Sequence, residues 1–125
     1  MQSHNYFCRC HPEASKYIKN YSRHKESLVN ILFHLFNSYA FESKLPNDMM
    51  ITWNPRLTKT AGMCIQRLLK ITKKQDTSQY LSCNNGIEEV RASKIELSPK
   101  VLDSADRLRD TLIHEMCHAA AWIVR

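Results

Sequence analysis

Glycine is almost missing from this 125-residue chain: there are two, with four prolines. That scarcity excludes a collagen-like or Gly/Pro-rich disordered protein. No internal repeat or low-complexity tract is present, which excludes solenoid architectures. No apolar run is long enough to span a bilayer, and Met1 to Asn20 lack the apolar core of a secretory signal. These absences predict an intracellular protein with no membrane partner. The five cysteines (Cys8, Cys10, Cys64, Cys83 and Cys117) are odd in number and unevenly spaced. They do not read as a disulfide framework, and reduced thiols are expected. What remains is 43% hydrophobic and 9% aromatic, the composition of one globular domain with a modest core. No residue pattern determines an oligomeric state.

Residues 1–24 read as a polar lead with scattered Tyr and His, or a short helix. From Lys25 to Glu42, Leu28, Ile31, Leu32, Leu35, Phe36 and Tyr39 recur at helical spacing. Leu45-Pro46-Asn47-Asp48 marks a turn. Met49 to Asn54 and Thr60 to Leu68 read as strands, the second with Gly62 inside it. A strand glycine often marks a bulge or a close backbone approach. Lys70 to Ser93 reads as a long loop or loose hairpin around Asn84-Asn85-Gly86, and Ser93 to Ser98 as a short strand. Pro99 suits the first position of a helical turn. Asp103 or Ser104 then caps a last helix, with Asp106 favouring its N-terminus. The order predicts an α+β domain: an N-terminal helix, a small antiparallel sheet and a C-terminal helix.

That last helix carries His114-Glu115-Met116-Cys117-His118. Residues four apart share a helix face, so His114 and His118 can direct two imidazoles at one metal ion. Glu115 can reach a water on that metal and act as general base. From Leu112 to Val124 only His114, Glu115 and His118 are clearly polar, the pattern of a buried helix. Burying three such groups without partners is costly, and a metal with its water accounts for all three. The plainer reading is two core histidines bonded to backbone and a glutamate that escapes to solvent. Cys117 is expected to pack as a small hydrophobe and Trp122 to fill core. Asp110 suits either orienting the site or a surface ion pair. Cys8-x-Cys10-His11, near His4, is a weak metal signal, since zinc sites space their cysteine pairs by two to four residues.

The net charge is +6 and unevenly spread. Residues 44–100 hold ten Lys/Arg against five Asp/Glu, and residues 101–125 hold three against four. Arg67, Lys70, Lys73 and Lys74 concentrate it, and such a surface favours polyanions, nucleic acid above all. A solvated loop that keeps the domain soluble accounts for it equally well.

Several segments together resemble the SprT-like metalloprotease family. They are Lys44-Leu45-Pro46, Ile51 to Asn54, Leu57 to Cys64, Ile95 to Leu102, and Asp106 to Trp122. The similarity covers about residues 25–125. It implies a zincin-like domain that binds Zn2+ through His114 and His118 and uses Glu115 as catalytic base. It also implies a nuclear, DNA-associated protease that cleaves proteins crosslinked to DNA and so protects genome stability. The family's third ligand, a histidine, follows the motif by a dozen or so residues, and a Cys-rich zinc ribbon follows that. This sequence stops at Arg125, inside an apolar helix without a Gly or Asn cap, which predicts an incomplete, truncated domain of doubtful activity. His34 stands as one substitute ligand. Two other functions fit the residues: a non-catalytic DNA- or chromatin-binding module, and a zincin peptidase indifferent to DNA.

Overall fold

A computed structural model describes residues 14–72 and 87–124. Helices α1 (Ala14–Lys19) and α2 (Tyr21–Ala40) lead into strands β1 (Met50–Trp53), β2 (Gly62–Thr72) and β3 (Ile87–Leu97), and the chain closes with α3 (Ala105–Ile123). The class is α+β with the expected order of elements.

The helical periodicity starts α2 at Lys25, but the helix begins four residues earlier. Tyr21 is buried, and its hydroxyl donates to the Leu102 carbonyl at 2.7 Å. Burial holds the Tyr21 phenol up at about 12. The buried stripe of α2 is Leu28, Val29, Leu32, Phe33 and Asn37, whereas Ile31, Leu35 and Tyr39 stay exposed. The helix is apolar on two neighbouring stripes, and a polar anchor selects between them. Asn37 Nδ2 donates to the Leu45 carbonyl at 2.9 Å, and its Oδ1 accepts from the Leu45 N–H at 3.1 Å. That bidentate clasp turns the chain back and drives Leu45 into the core. The return passes through Glu42 and Ser43, both left-handed with φ of 54° and 57°, where most L-residues are disfavoured. The Ser43 N–H bonds to the Asn37 carbonyl at 2.7 Å and helps hold this turn.

The sheet order is β1-β3-β2. β2 and β3 pair antiparallel as anticipated, but β1 runs parallel to β3, so the sheet is mixed rather than antiparallel throughout. The chain from β1 passes through β2, at the far edge, before it reaches the central β3, and that crossover fixes the parallel sense. β2 and β3 are also longer than their apolar alternation predicts, and they extend well into the expected loop. At that end they lean on cross-strand pairs such as Lys70 opposite Glu89 and Leu69 opposite Val90, with both faces of the sheet open there. Opposite charges facing each other stabilise a ladder without leaving an amphipathic signature. The Asn84-Asn85-Gly86 turn signal lies outside the described residues.

Side chains alternate across a strand, so Gly62, Cys64, Ile95 and Leu97 share the face covered by α3. Ile95, Leu97, Leu108, Leu112 and Met116 are all essentially inaccessible there. α3 packs against β2, β3 and α2. Its N-cap is Ser104, whose hydroxyl accepts from the Arg107 N–H at 3.3 Å, and Asp106 lies in its first turn. The turn before it is held by Ser98. Its hydroxyl donates to the Leu57 carbonyl at 2.6 Å and accepts from the Val101 N–H at 3.1 Å. Among the described residues no helix is long and apolar enough to cross a membrane.

Replacing Asn37 with Ala strands the Leu45 N–H and carbonyl in the core. The expected cost is about 2–3 kcal/mol, read as a lower urea midpoint at unchanged slope; a midpoint within error of the parent would rule out the clasp as the anchor of α2.

Candidate metal centre

α3 presents two unlike faces at the His-Glu-x-x-His segment. Glu115, Met116 and Ala119 turn inward, while His114, Cys117 and His118 are exposed. The helix is therefore not buried all round as its composition predicts: one stripe is left open, and the two imidazoles stand on it. Cys117 shares that open stripe and does not pack as a small hydrophobe. An exposed stripe of this kind is what a site needs if solvent or a peptide is to reach it.

The Nε2 atoms of His114 and His118 lie 3.2 Å apart, with the rings 4.8 Å apart between centroids and nearly perpendicular. Two imidazole nitrogens bound tetrahedrally at about 2.0–2.1 Å from one zinc stand roughly 3.3 Å apart. The pair thus converges at the spacing that one small tetrahedral cation requires, and its borderline-soft nitrogen donors suit zinc. Among the described residues no group of three His, Cys, Asp or Glu side chains gathers around a common point. His34 is not brought to the pair. It stands exposed on α2, with its ring edge-on to Phe33 at 5.4 Å. Cys8, Cys10, His11 and His4 lie outside the described residues.

Glu115 is 7% exposed and lies on the sheet side of α3 at the start of β2. Gly62 is its neighbour there: a Cβ built on Gly62 would fall 3.4 Å from Glu115 Cγ and 3.0 Å from Thr111 Cγ2. Cys64, two residues along the same face, also feels Glu115. Burial pushes the Cys64 thiol above its ordinary value, a polar contact with the Ser93 hydroxyl works the other way, and the Glu115 charge adds to the rise. Residue type alone did not single out Cys64, whereas the isolated strand glycine was a usable pointer to a close approach.

Asp110 takes the surface alternative. It pairs with Arg109, whose Nη2 lies 3.0 Å from its carboxylate. Trp122 does more than fill space. Its Nε1 donates to the Ala92 carbonyl at 3.0 Å and the Arg67 carbonyl at 3.2 Å. The Arg91 guanidinium stacks 4.3 Å from its ring centre and donates to the Trp122 carbonyl at 3.3 Å. The far end of the motif helix is thereby tied across the β2–β3 ladder.

Of the four basic residues singled out for polyanion binding, Lys73 and Lys74 lie outside the described residues. Arg67 and Lys70 are exposed on β2, three positions apart and hence on opposite faces of the strand. Arg67 also adds to the pull that holds the Glu96 carboxyl below its ordinary value. The larger causes there are hydrogen bonds from Asn54, at 2.9 Å, and from Lys94.

The two described cysteines should differ in reactivity. The thiolate is the reactive form, and a raised thiol holds less of it at a given pH. At pH 8 a maleimide should modify exposed Cys117 well before half-buried Cys64, as read by peptide mass spectrometry. Equal rates would refute the seat assigned to Cys64 under Glu115.

The SprT-like family model matches residues 29–125. Germ cell nuclear acidic protein of Homo sapiens is 42% identical over 106 residues, which cover 85% of this chain and 13% of that protein. The Drosophila melanogaster protein of the same name is 41% identical over 115 residues, covering 92% of this chain and 9% of the relative. Germ cell nuclear acidic-1 protein of Caenorhabditis elegans is 36% identical over 118 residues, covering 91% of this chain and 18% of the relative. The chain thus spans less than a fifth of the length of these relatives. No solved structure matches it. With its motif helix, its mixed sheet and a family match over most of its length, the chain belongs to the SprT-like family.

Proposed function

We propose that this chain is the catalytic domain, or part of it, of a zinc-dependent metalloendopeptidase that acts on proteins crosslinked to DNA. The observation that carries the proposal is the convergence of His114 and His118, 3.2 Å apart on an open helix stripe; Glu115 follows His114 in the chain and is buried on the adjoining, sheet-facing side of the helix. Zinc held by the two histidines and a further ligand would act as a Lewis acid, lowering the pKa of water and polarising the scissile carbonyl. Glu115, the residue after the first histidine, accepts the proton of the attacking water and returns it to the departing amine. Its placement against β2 keeps its stem out of solvent and leaves it little freedom to wander, which favours a positioned base. The extended peptide needs access from solvent, and the exposed stripe supplies it.

DNA as a partner rests on the basic middle of the chain and on the family resemblance. The relatives are named nuclear proteins, which supports the nucleus as the location of this one. This chain carries +6, a balance suited to phosphate contacts.

One observation favours a second reading, a non-catalytic DNA- or chromatin-binding module: no third ligand stands with the histidine pair among the described residues. A DNA-independent zincin is the remaining alternative.

The deciding experiment measures zinc content of the chain and cleavage of a DNA-bound basic protein, with and without DNA. The peptidase reading expects zinc that is lost in His114→Ala. It also expects cleavage reduced by about 10²–10⁴-fold in Glu115→Gln, the range of a general base. Salt-sensitive DNA binding with no cleavage and no retained zinc would instead establish the binding module. Cleavage indifferent to DNA would establish the third reading.

A further inference from the structure

Gly62 is buried at the first position of β2, opposite Leu97. Its backbone does not need glycine for conformational reasons, since no described glycine has a positive φ. What it needs is space. A Cβ there would lie 3.0 Å from Thr111 Cγ2, 3.1 Å from the Glu96 carbonyl and 3.4 Å from Glu115 Cγ. Thr111 and Glu115 are four apart and so stack on one face of α3. The bare backbone of Gly62 fits the notch between their side chains. Nowhere else in the described residues does a glycine serve this purpose, for the chain's other glycine, Gly86, lies outside them.

We propose that Gly62 is a positioning residue for Glu115. By letting β2 approach α3 at the motif's own turn, it holds the Glu115 stem against the strand and aims the carboxyl from beneath the histidine pair. A Cβ at position 62 crowds Thr111 Cγ2 and the Glu96 carbonyl and comes into contact with Glu115 Cγ. The Thr111 side chain must then yield toward the Glu115 stem, while the outward-facing His114 and His118 stay in place. The two functions of the motif helix are thereby separable: the histidines answer to the helix backbone, and the glutamate answers to the sheet. This inference rests on the reading of Glu115 as the base.

The test compares the parent chain with Gly62→Ala, Thr111→Ser and the double variant. Its first readout needs neither metal nor substrate. Carbodiimide coupling of carboxyl groups to glycine ester, followed by mass spectrometry, reports on Glu115, with exposed Glu42 as internal standard. Glu115 should be protected in the parent and in Thr111→Ser, modified readily in Gly62→Ala, and protected again in the double variant, where the methyl nearest the new Cβ is gone. The second readout is cobalt or zinc affinity, which should be unchanged in Gly62→Ala. The third is peptidase activity, where Gly62→Ala should lower kcat with KM nearly constant, by less than the roughly 10²-fold that a full misplacement of about 1 Å costs.

Equal modification of Glu115 in all four proteins overturns the proposal, as does loss of metal affinity in step with activity. If Gly62→Ala does not fold, recovery of folding in the double variant supports the notch. Failure of both overturns it, because the collision is then with the Glu96 backbone. A parent chain without peptidase activity sinks the peptidase reading, and the labelling still decides the seat of Glu115.

Discussion

Everything in this fold hangs on the burial of α3 against the centre of the sheet. Ile95 and Leu97 from β3 meet Leu108, Leu112 and Met116 from the helix, and none of the five keeps measurable contact with water. Fully burying one such side chain contributes about 1.5–3 kcal/mol, so this seam outweighs any hydrogen bond or ion pair described above. The surface pairs, such as Arg107 with Asp103 at 3.4 Å, contribute at most about 1 kcal/mol each. The seam is also what makes the motif possible. A helix locked on one side by five inaccessible apolar groups can expose two histidines on the other without drifting.

The polar groups around this seam act as selectors rather than as sources of stability. Asn37 decides which of two apolar stripes of α2 turns inward. Ser98 and Ser104 decide where α3 starts, and Trp122 decides where its last turn lies over the ladder. Ser104 acts within α3, on the Arg107 N–H, whereas Asn37, Ser98 and Trp122 each bond to a separate stretch of chain and so link parts that the apolar contacts alone would leave free to slide.

The motif helix, its cap and the pairing of its two histidines on one helix face were legible in the sequence because each is written in local spacing. Helical period, an N-cap serine and a four-residue histidine step need no knowledge of the rest of the chain. The helix α2 was legible in kind but not in rotation, since Ile31, Leu35 and Tyr39 are as apolar as the residues that win. The decision is made by Asn37 reaching a backbone eight residues away. The parallel pairing of β1 was not legible, because strand sense depends on which strand takes the centre and not on the residues of β1. The outer halves of β2 and β3 were hidden for another reason: with water on both faces, they have no alternation to read. In the site itself, Glu115 stood out by its place between the two histidines, but its seat beside Gly62 and Cys64 is a long-range contact between two elements. Only the isolated glycine hinted at it.

The chain's two tryptophans stand at its two most informative joints. Trp53 ends β1 beneath the Lys25 ammonium of α2, 4.8 Å from its ring centre. Trp122 lies near the end of α3 under Arg91 of β3. A cation over an indole face perturbs its excited state, and water reaching the ring shifts its emission. The protein thus carries two built-in optical probes, one on the joint between the first long helix and the sheet and one on the clamp of the motif helix. Single-tryptophan variants would let the two joints be watched separately as the fold opens.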